Sequence, residues 1–273
     1  MSAVHPTAIL EGDVELADDV VIGPHCAIRG PVTIGAGTRL LGSVWIQGPT
    51  IIGSGNTLYP FATLGLPPQD LKWDPAVAGA GLVIGNANVF RESVSIHRAT
   101  SHERPTTIGD GNYFMACSHA GHDCRVGSNN IFGNGTLLGG HVQVADRVVA
   151  GGGSAVHQFV RIGRGCMLSG LAGLSLDLPP YFTLTAANLA GSINLVGLRR
   201  SGASGETIDD VRWSYRTLYR SGVSPRQALP LLRERESHPM VAEYIEFVAS
   251  TRRGVCPGRG KSTRGTAAPR AGA

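Results

Sequence analysis

The chain has 273 residues, a net charge of +4 at pH 7, 42% apolar residues, 38 glycines and 6% aromatics. Apolar material suffices for a core, and the glycine-rich, aromatic-poor balance suits a turn-rich β architecture better than a helical bundle. Six basic residues follow Glu246 (Arg252, Arg253, Arg259, Lys261, Arg264, Arg270) with no acid among them, and without them the net charge is −2. Basic character is therefore a property of the C-terminal end and argues little for nucleic-acid binding by the body of the chain.

The opening MSAVHPTAIL has neither the basic start nor the apolar stretch of an export signal. No run of about 18 apolar residues predicts a membrane span. Five cysteines (Cys26, Cys117, Cys124, Cys166, Cys256) are odd in number and scattered, which fits reduced thiols and a cytoplasmic protein.

Aliphatic residues recur every sixth position at Val4, Leu10, Leu16, Ile22, Ile28, Ile34, Leu40, Ile46, Ile52, Leu58 and Leu64. The ladder stops over 65–83, resumes in a new phase at Ile84, Phe90 and Ile96, breaks at His102, and runs on from Ile108 to Leu174. The position after the aliphatic is often Gly, as at Gly23, Gly35, Gly53, Gly109 and Gly133. A six-residue period of this length predicts a parallel β-helix. Each hexapeptide supplies a short strand and a turn, and three complete an 18-residue coil. The breaks at 65–83 and 100–107 are then loops projecting from a rigid prism, where function often resides.

The repeat domain is expected to span 1–180 and to end at Pro179-Pro180. A helical domain follows over 181–253. Its predicted helices are 206–222, closing at Gly222, then 225–236, opened by Ser224-Pro225, and 239–252. These could cap the open end of the prism. Residues 254–273, rich in Gly, Pro, Arg, Ser, Thr and Ala, read as a disordered basic tail.

His97, His119, His122, His141 and His157 fall about once per coil and should line one edge of the prism. Such a column can bind zinc, can supply a general base with substrate contacts around it, or can form a subunit interface. Cys117 and Cys124 do not form C-x-x-C and read as packing residues.

The segments 4-VHPTAI-9, 69-QDLKW-73, 91-RESVSIHR-98, 119-HAGHDC-124, 138-LGGH-141, 154-SAVHQF-159, 178-LPPY-181 and 194-NLVGLRR-200 resemble, in this order, the acyl-[acyl-carrier-protein]–UDP-N-acetylglucosamine O-acyltransferases. That family opens lipid A synthesis. The resemblance covers residues 4 to about 253. It implies a left-handed β-helix with a C-terminal α-helical domain, assembled as a homotrimer with active sites between subunits and needing no cofactor or metal. It implies transfer of a 3-hydroxyacyl chain from acyl carrier protein to the 3-hydroxyl of UDP-N-acetylglucosamine.

Carried over position by position, His122 is the general base, Asp123 its helper and the Gly140 N–H the oxyanion donor. Gln69, Asp70, Lys72, His97, His119, His141, His157, Gln158, Asn194 and Arg200 become substrate contacts, and Gly170 the residue that gauges the acyl chain. A glycine there favours a long chain such as 3-hydroxymyristoyl. Arg199, Arg200, Arg216 and Arg220 are candidates to meet the acidic carrier protein. Val196 and Ser201 depart from the family's acid and arginine near the nucleotide. A 3-amino sugar acceptor, a coenzyme A-dependent acetyltransferase and a zinc-dependent γ-type carbonic anhydrase are the rival readings.

Overall fold

The computed structural model describes residues 2–74, 76–77 and 79–258. The hexapeptide ladder forms a parallel β-helix of about ten turns. Its strands, two to four residues long, fall on three faces. In one coil the chain runs along face A (Tyr113–Phe114), face B (His119–Ala120) and face C (Arg125–Val126) before returning to face A at Ile131–Phe132. The coil therefore has an A–B corner near 115–118, a B–C corner near 121–124 and a C–A corner near 127–130.

The periodic aliphatics point inward. From Ile22 to Leu174 they stack in the core with almost no exposure, whereas Val4 and Leu10 stay exposed where the first coil has no coil beneath it. Burying one such side chain contributes about 1.5–3 kcal/mol, so the ladder is the main source of stability. Phe90, Phe114 and Phe132 stack with centroids 5.3 and 4.5 Å apart in successive coils. At the C–A corner the buried Asn56, Asn88, Asn112 and Asn130 form a second ladder, in which the Oδ1 of each of the first three accepts from the backbone and side-chain amides of the next asparagine and that of Asn130 accepts from the Val148 N–H. The recurring glycines follow from coil stacking. A Cβ at Gly35 would come within 2.6 Å of the Gly53 carbonyl carbon, and one at Gly133 within 2.6 Å of the Gly152 nitrogen.

Both ladder breaks lie at one corner. Leu64 pairs with Ile96 and Ile96 with Ala120, so the 18-residue coil has been lengthened twice between faces B and C. The two insertions, 67–81 and 98–105, project from the B–C corner. Trp73 of the first rests over the buried Arg98 guanidinium, 5.4 Å from the ring centroid, and Arg98 donates to the Gly48 and Gly65 carbonyls below.

The repeat ends near Pro180, but face A continues. A hairpin of Phe182–Ala186 and Leu189–Ile193 adds two strands to it, a feature absent from the sequence reading. Among the described residues four helices follow: α1 (Leu195–Arg200), α2 (Gly205–Arg220), α3 (Leu229–Arg233) and α4 (Pro239–Ala249). The short α1 was not expected. Ser224 begins a turn in which its hydroxyl binds Gln227, and helix geometry starts only at Leu229, so the expected 225–236 helix is largely turn. Phe182 packs against Tyr215, Tyr219 and Tyr244, which seats α2 and α4 on the end of the prism.

Residues 254–258 are not part of a disordered tail. Val255 bridges Asp177, Gly258 bridges Ala190, and Cys256 is fully buried. Burial of Cys256 draws this stretch into the fold despite its tail-like composition. The rest of the expected tail lies outside the described residues. Among the described residues no helix is long and apolar enough to cross a membrane.

Candidate active site at the B–C corner

Asp123 has a left-handed backbone, φ 59°, which turns its carboxylate back onto the residue before it. Asp123 Oδ2 lies 2.7 Å from His122 Nδ1. Three further donors reach the same carboxylate: the Thr100 N–H at 3.1 Å, the Thr100 hydroxyl at 2.7 Å and the Ser101 N–H at 3.1 Å. Burial pushes the Asp123 carboxyl up, but hydrogen bonds from His122, Thr100 and Ser101 outweigh it and hold the group below the usual carboxylate range. An ionised carboxylate only accepts, so His122 Nδ1 carries a proton, and in the neutral ring that leaves Nε2 as the acceptor.

That free nitrogen faces Gly140, one coil on. A Cβ at Gly140 would lie 2.7 Å from His122 Nε2, so only glycine leaves room there. Gly140 is buried, and among the described residues its N–H has no hydrogen-bond acceptor. An unspent buried amide beside a basic imidazole nitrogen can receive a developing oxyanion.

The histidines do not form the single column that their spacing implied. Residues 18 apart stack, so Asp123, His141 and Phe159 share one register and His122, Gly140 and Gln158 another. The intervals between the histidines are 19 and 16, which displaces each around the corner. Neighbouring imidazoles consequently meet edge-on, His122 with His141 at 5.1 Å and His97 with His119 at 5.3 Å between centroids. The His141 ring stacks flat on Phe159 at 4.3 Å. His141 Nε2 is 3.7 Å from Asp123 Oδ2. His157 is exposed and turns to the Gln158 carbonyl.

Burial lowers the His97 pKa, and burial together with the nearby His97 ring lowers His119 to about 4. His119 Nδ1 shares a 2.8 Å hydrogen bond with the Ser95 hydroxyl. His97 Nδ1 bonds the Pro67 carbonyl at the root of the first inserted loop. Burial likewise lowers His141, partly offset by Asp123 and by Asp70 of that loop.

Gln69 and His119 line a groove across face B with Cys117, Leu137 and Ala155. The outward column of that face runs Ser95, His119, Leu137, Ala155, Gly173 in register, from polar beside the imidazoles to apolar and small. Gly170 sits at the A–B corner, where an added Cβ would meet only the Gly152 carbonyl oxygen, at 3.3 Å. Lys72 is exposed on the first loop, its N–H bonded to Asp70.

Two predicted contacts lie elsewhere in this chain. Asn194 caps α1, accepting from the Gly197 N–H and donating to the Gly165 carbonyl at the C–A corner, and Arg200 is exposed at the end of the same helix. One chain does not bring them to His122. Cys117 is also not a packing residue: it is exposed at the A–B corner, whereas Cys124 is buried with its thiol pushed up to about 12 by burial. Thr100 and Ser101 were missed as site residues. Their signal was the position of the second ladder break, one coil before Asp123.

His122, Asp123 and His141 place ligand-type atoms within 4.8 Å of one another. The set has the chemistry of a divalent-ion site, but His122 Nδ1 is committed to Asp123 and leaves only Nε2 to coordinate.

A hexapeptide β-helix with a carboxylate-held imidazole facing an unspent amide defines a transferase of the hexapeptide class. Residues 105–140 match the bacterial transferase hexapeptide family and residues 177–256 match the second domain of UDP-N-acetylglucosamine O-acyltransferase. A protein of Thermodesulfovibrio yellowstonii named acyl-[acyl-carrier-protein]–UDP-N-acetylglucosamine O-acyltransferase is 42% identical over 94% of this chain and all of its own length. The protein of that name from Syntrophobacter fumaroxidans is 42% identical over 92% of this chain and 98% of its own. The solved UDP-N-acetylglucosamine acyltransferase of Francisella novicida superposes with a TM-score of 0.89 at 32% identity, covering 94% of this chain and 95% of that one. The chain belongs to the acyl-[acyl-carrier-protein]–UDP-N-acetylglucosamine O-acyltransferase family.

Proposed function

We propose that this chain transfers a 3-hydroxyacyl group from acyl carrier protein to the 3-hydroxyl of UDP-N-acetylglucosamine, with His122 as general base. The observation that carries the reading is the position of His122: its Nδ1 is held by Asp123 and its Nε2 faces Gly140. The acceptor hydroxyl gives its proton to Nε2 as its oxygen attacks the thioester carbonyl. The Gly140 N–H donates to the resulting oxyanion. As the intermediate collapses, the C–S bond breaks and the thiolate takes the proton back from Nε2. No cofactor or metal enters these steps.

The acyl chain would lie along face B towards Gly170, where the outward column turns apolar. His119, His97, His157, Gln158, Gln69, Asp70, Lys72 and His141 would surround the acceptor and the thioester. Asn194 and Arg200 would serve a neighbouring copy, since in their own chain they lie away from His122. That arrangement supports a homotrimer with shared sites. So do the exposed apolar side chains Leu137, Phe159 and Leu171, which another subunit would cover. The exposed Arg199, Arg200, Arg216 and Arg220 would meet the carrier protein, and a carrier-protein donor fits a cytoplasmic enzyme.

The test is acyl transfer by purified, metal-analysed protein with 3-hydroxymyristoyl-acyl carrier protein and either UDP-N-acetylglucosamine or its 3-amino analogue. Ester formation with the hydroxyl sugar is expected. Product with the amine alone would replace O-acylation by N-acylation, and activity that tracks zinc content would overturn the metal-free mechanism.

A further inference from the structure

Beside the His122 corner, a cleft of about 690 Å³ opens over face C, and its wall is built of arginines. The strand register places Arg125, Gln143 and Arg161 in one outward column, so Arg125 and Arg161 project from strands two apart, about 10 Å between them. Arg104 reaches the same cleft from the second inserted loop, and Arg252 and Arg253 reach it from the segment after α4. Five guanidinium groups thus converge from four separate stretches of chain.

The cleft's two acids offset only part of this charge: Asp177 Oδ2 lies 3.9 Å from the Arg161 guanidinium, and Asp123 is held ionised. Asp123 is spent on His122, Thr100 and Ser101. Asp177 is buried, accepting from the Arg161 N–H and the Thr251 hydroxyl. Arg161 is held over the Phe247 ring at 4.3 Å and donates to the Ser250 hydroxyl, while Arg253 donates to the Ser175 carbonyl. Among the described residues, Arg104, Arg125 and Arg252 have no carboxylate partner. Like charges gathered in excess of their counter-charge cost stability, and a bound anion relieves that cost. Guanidinium forks match phosphate oxygens in charge and geometry. The cleft also shares Asp123 and His141 with the catalytic corner, so an anion seated there lies within reach of a substrate whose reacting end is at His122.

We propose that this arginine cleft is a phosphate-binding subsite, formed by Arg104, Arg125 and Arg252 with Arg161 and Arg253 as its fixed floor, that anchors a phosphate ester of a substrate held at His122. Under the acyl-transfer reading, on which this last assignment rests, the phosphate belongs either to the diphosphate of the sugar nucleotide or to the phosphodiester arm of the acyl donor. Phosphate binding itself does not depend on that reading.

The experiment is calorimetric titration of the full-length protein at low salt with inorganic pyrophosphate, UDP and 4′-phosphopantetheine. It is repeated for the triple variant Arg104→Gln, Arg125→Gln, Arg252→Gln and for Arg39→Gln, an exposed arginine on face A, as control. Circular dichroism checks that each variant is folded; should the triple variant fail that check, Arg125→Gln and Arg252→Gln are titrated singly. The wild type is expected to bind pyrophosphate, with affinity at least about tenfold weaker in the triple variant, or measurably weaker in each single one, and unchanged in Arg39→Gln. Parallel loss of UDP binding assigns the subsite to the sugar nucleotide, and loss of phosphopantetheine binding to the donor. No binding of any probe, or equal binding by wild type and arginine variants, overturns the proposal. Because the readout is binding, failure of the acyl-transfer assay leaves this result separately interpretable.

Discussion

Asp123 bonds the imidazole of His122, its own chain neighbour, at 2.7 Å, and does so because its left-handed backbone folds the carboxylate back over the preceding residue. Two adjacent residues on an ordinary strand would point to opposite faces. The corner of the coil converts that divergence into a paired base and acid. Asp123→Asn should therefore leave the fold intact and lower kcat by at least about 100-fold, since an amide can donate to Nδ1 and favour the tautomer whose Nε2 is protonated. Steady-state kinetics against circular dichroism measures this; a near-normal kcat would show that the carboxylate does not set the tautomer.

Thr100 ties the second inserted loop to that carboxylate through both its N–H and its hydroxyl. Thr100→Val keeps the shape and removes the hydroxyl bond to a charged group, a loss of about 1.5–3 kcal/mol. The expected pattern is a lower unfolding midpoint and a kcat reduced more than KM. An unchanged kcat would make the loop a packing feature only.

His119 carries a pKa near 4, against an ordinary 6.5, because burial and the neighbouring His97 ring oppose its charge. The folded value lies below the unfolded one, so the unfolded chain binds more protons between them. Stability from the neutral ring is complete above about pH 6.5 and is lost as the pH falls towards 4. Denaturant titrations across that window should show a shallower acid loss for His119→Gln than for the wild type. Equal slopes would mean that His119 does not titrate as its surroundings imply.

Gly170 leaves open space at the A–B corner, where an added Cβ meets only the Gly152 carbonyl oxygen. Gly170→Met should fold normally and shift donor preference from 3-hydroxymyristoyl to a shorter chain, read as a ratio of kcat/KM values for the two donors. An unaltered ratio would remove Gly170 from the acyl groove.

The coil period was legible because one buried position recurs every six residues, and Ile46 or Leu138 can be nothing but inward. His122, Asp123 and Gly140 were legible through a resemblance in motif, and the corner geometry supplies the physical reason for their proximity. The single histidine column was not right, because 19- and 16-residue intervals do not close an 18-residue coil. Thr100 and Ser101 carry no motif; only the insertion that brings them under Asp123 gives them a role. The hairpin over 182–193 and the buried Cys256 escaped notice because they are held by tertiary contacts with face A and Asp177, not by local pattern.

The most direct measurement is the single-turnover acyl-transfer rate of His122→Ala beside the wild type, with oligomeric state checked by sedimentation. The account predicts a folded protein with an unchanged assembly and a rate at least about 100-fold lower, the scale of losing a general base. A rate within a few-fold of wild type would contradict it and move the base to another group at the corner.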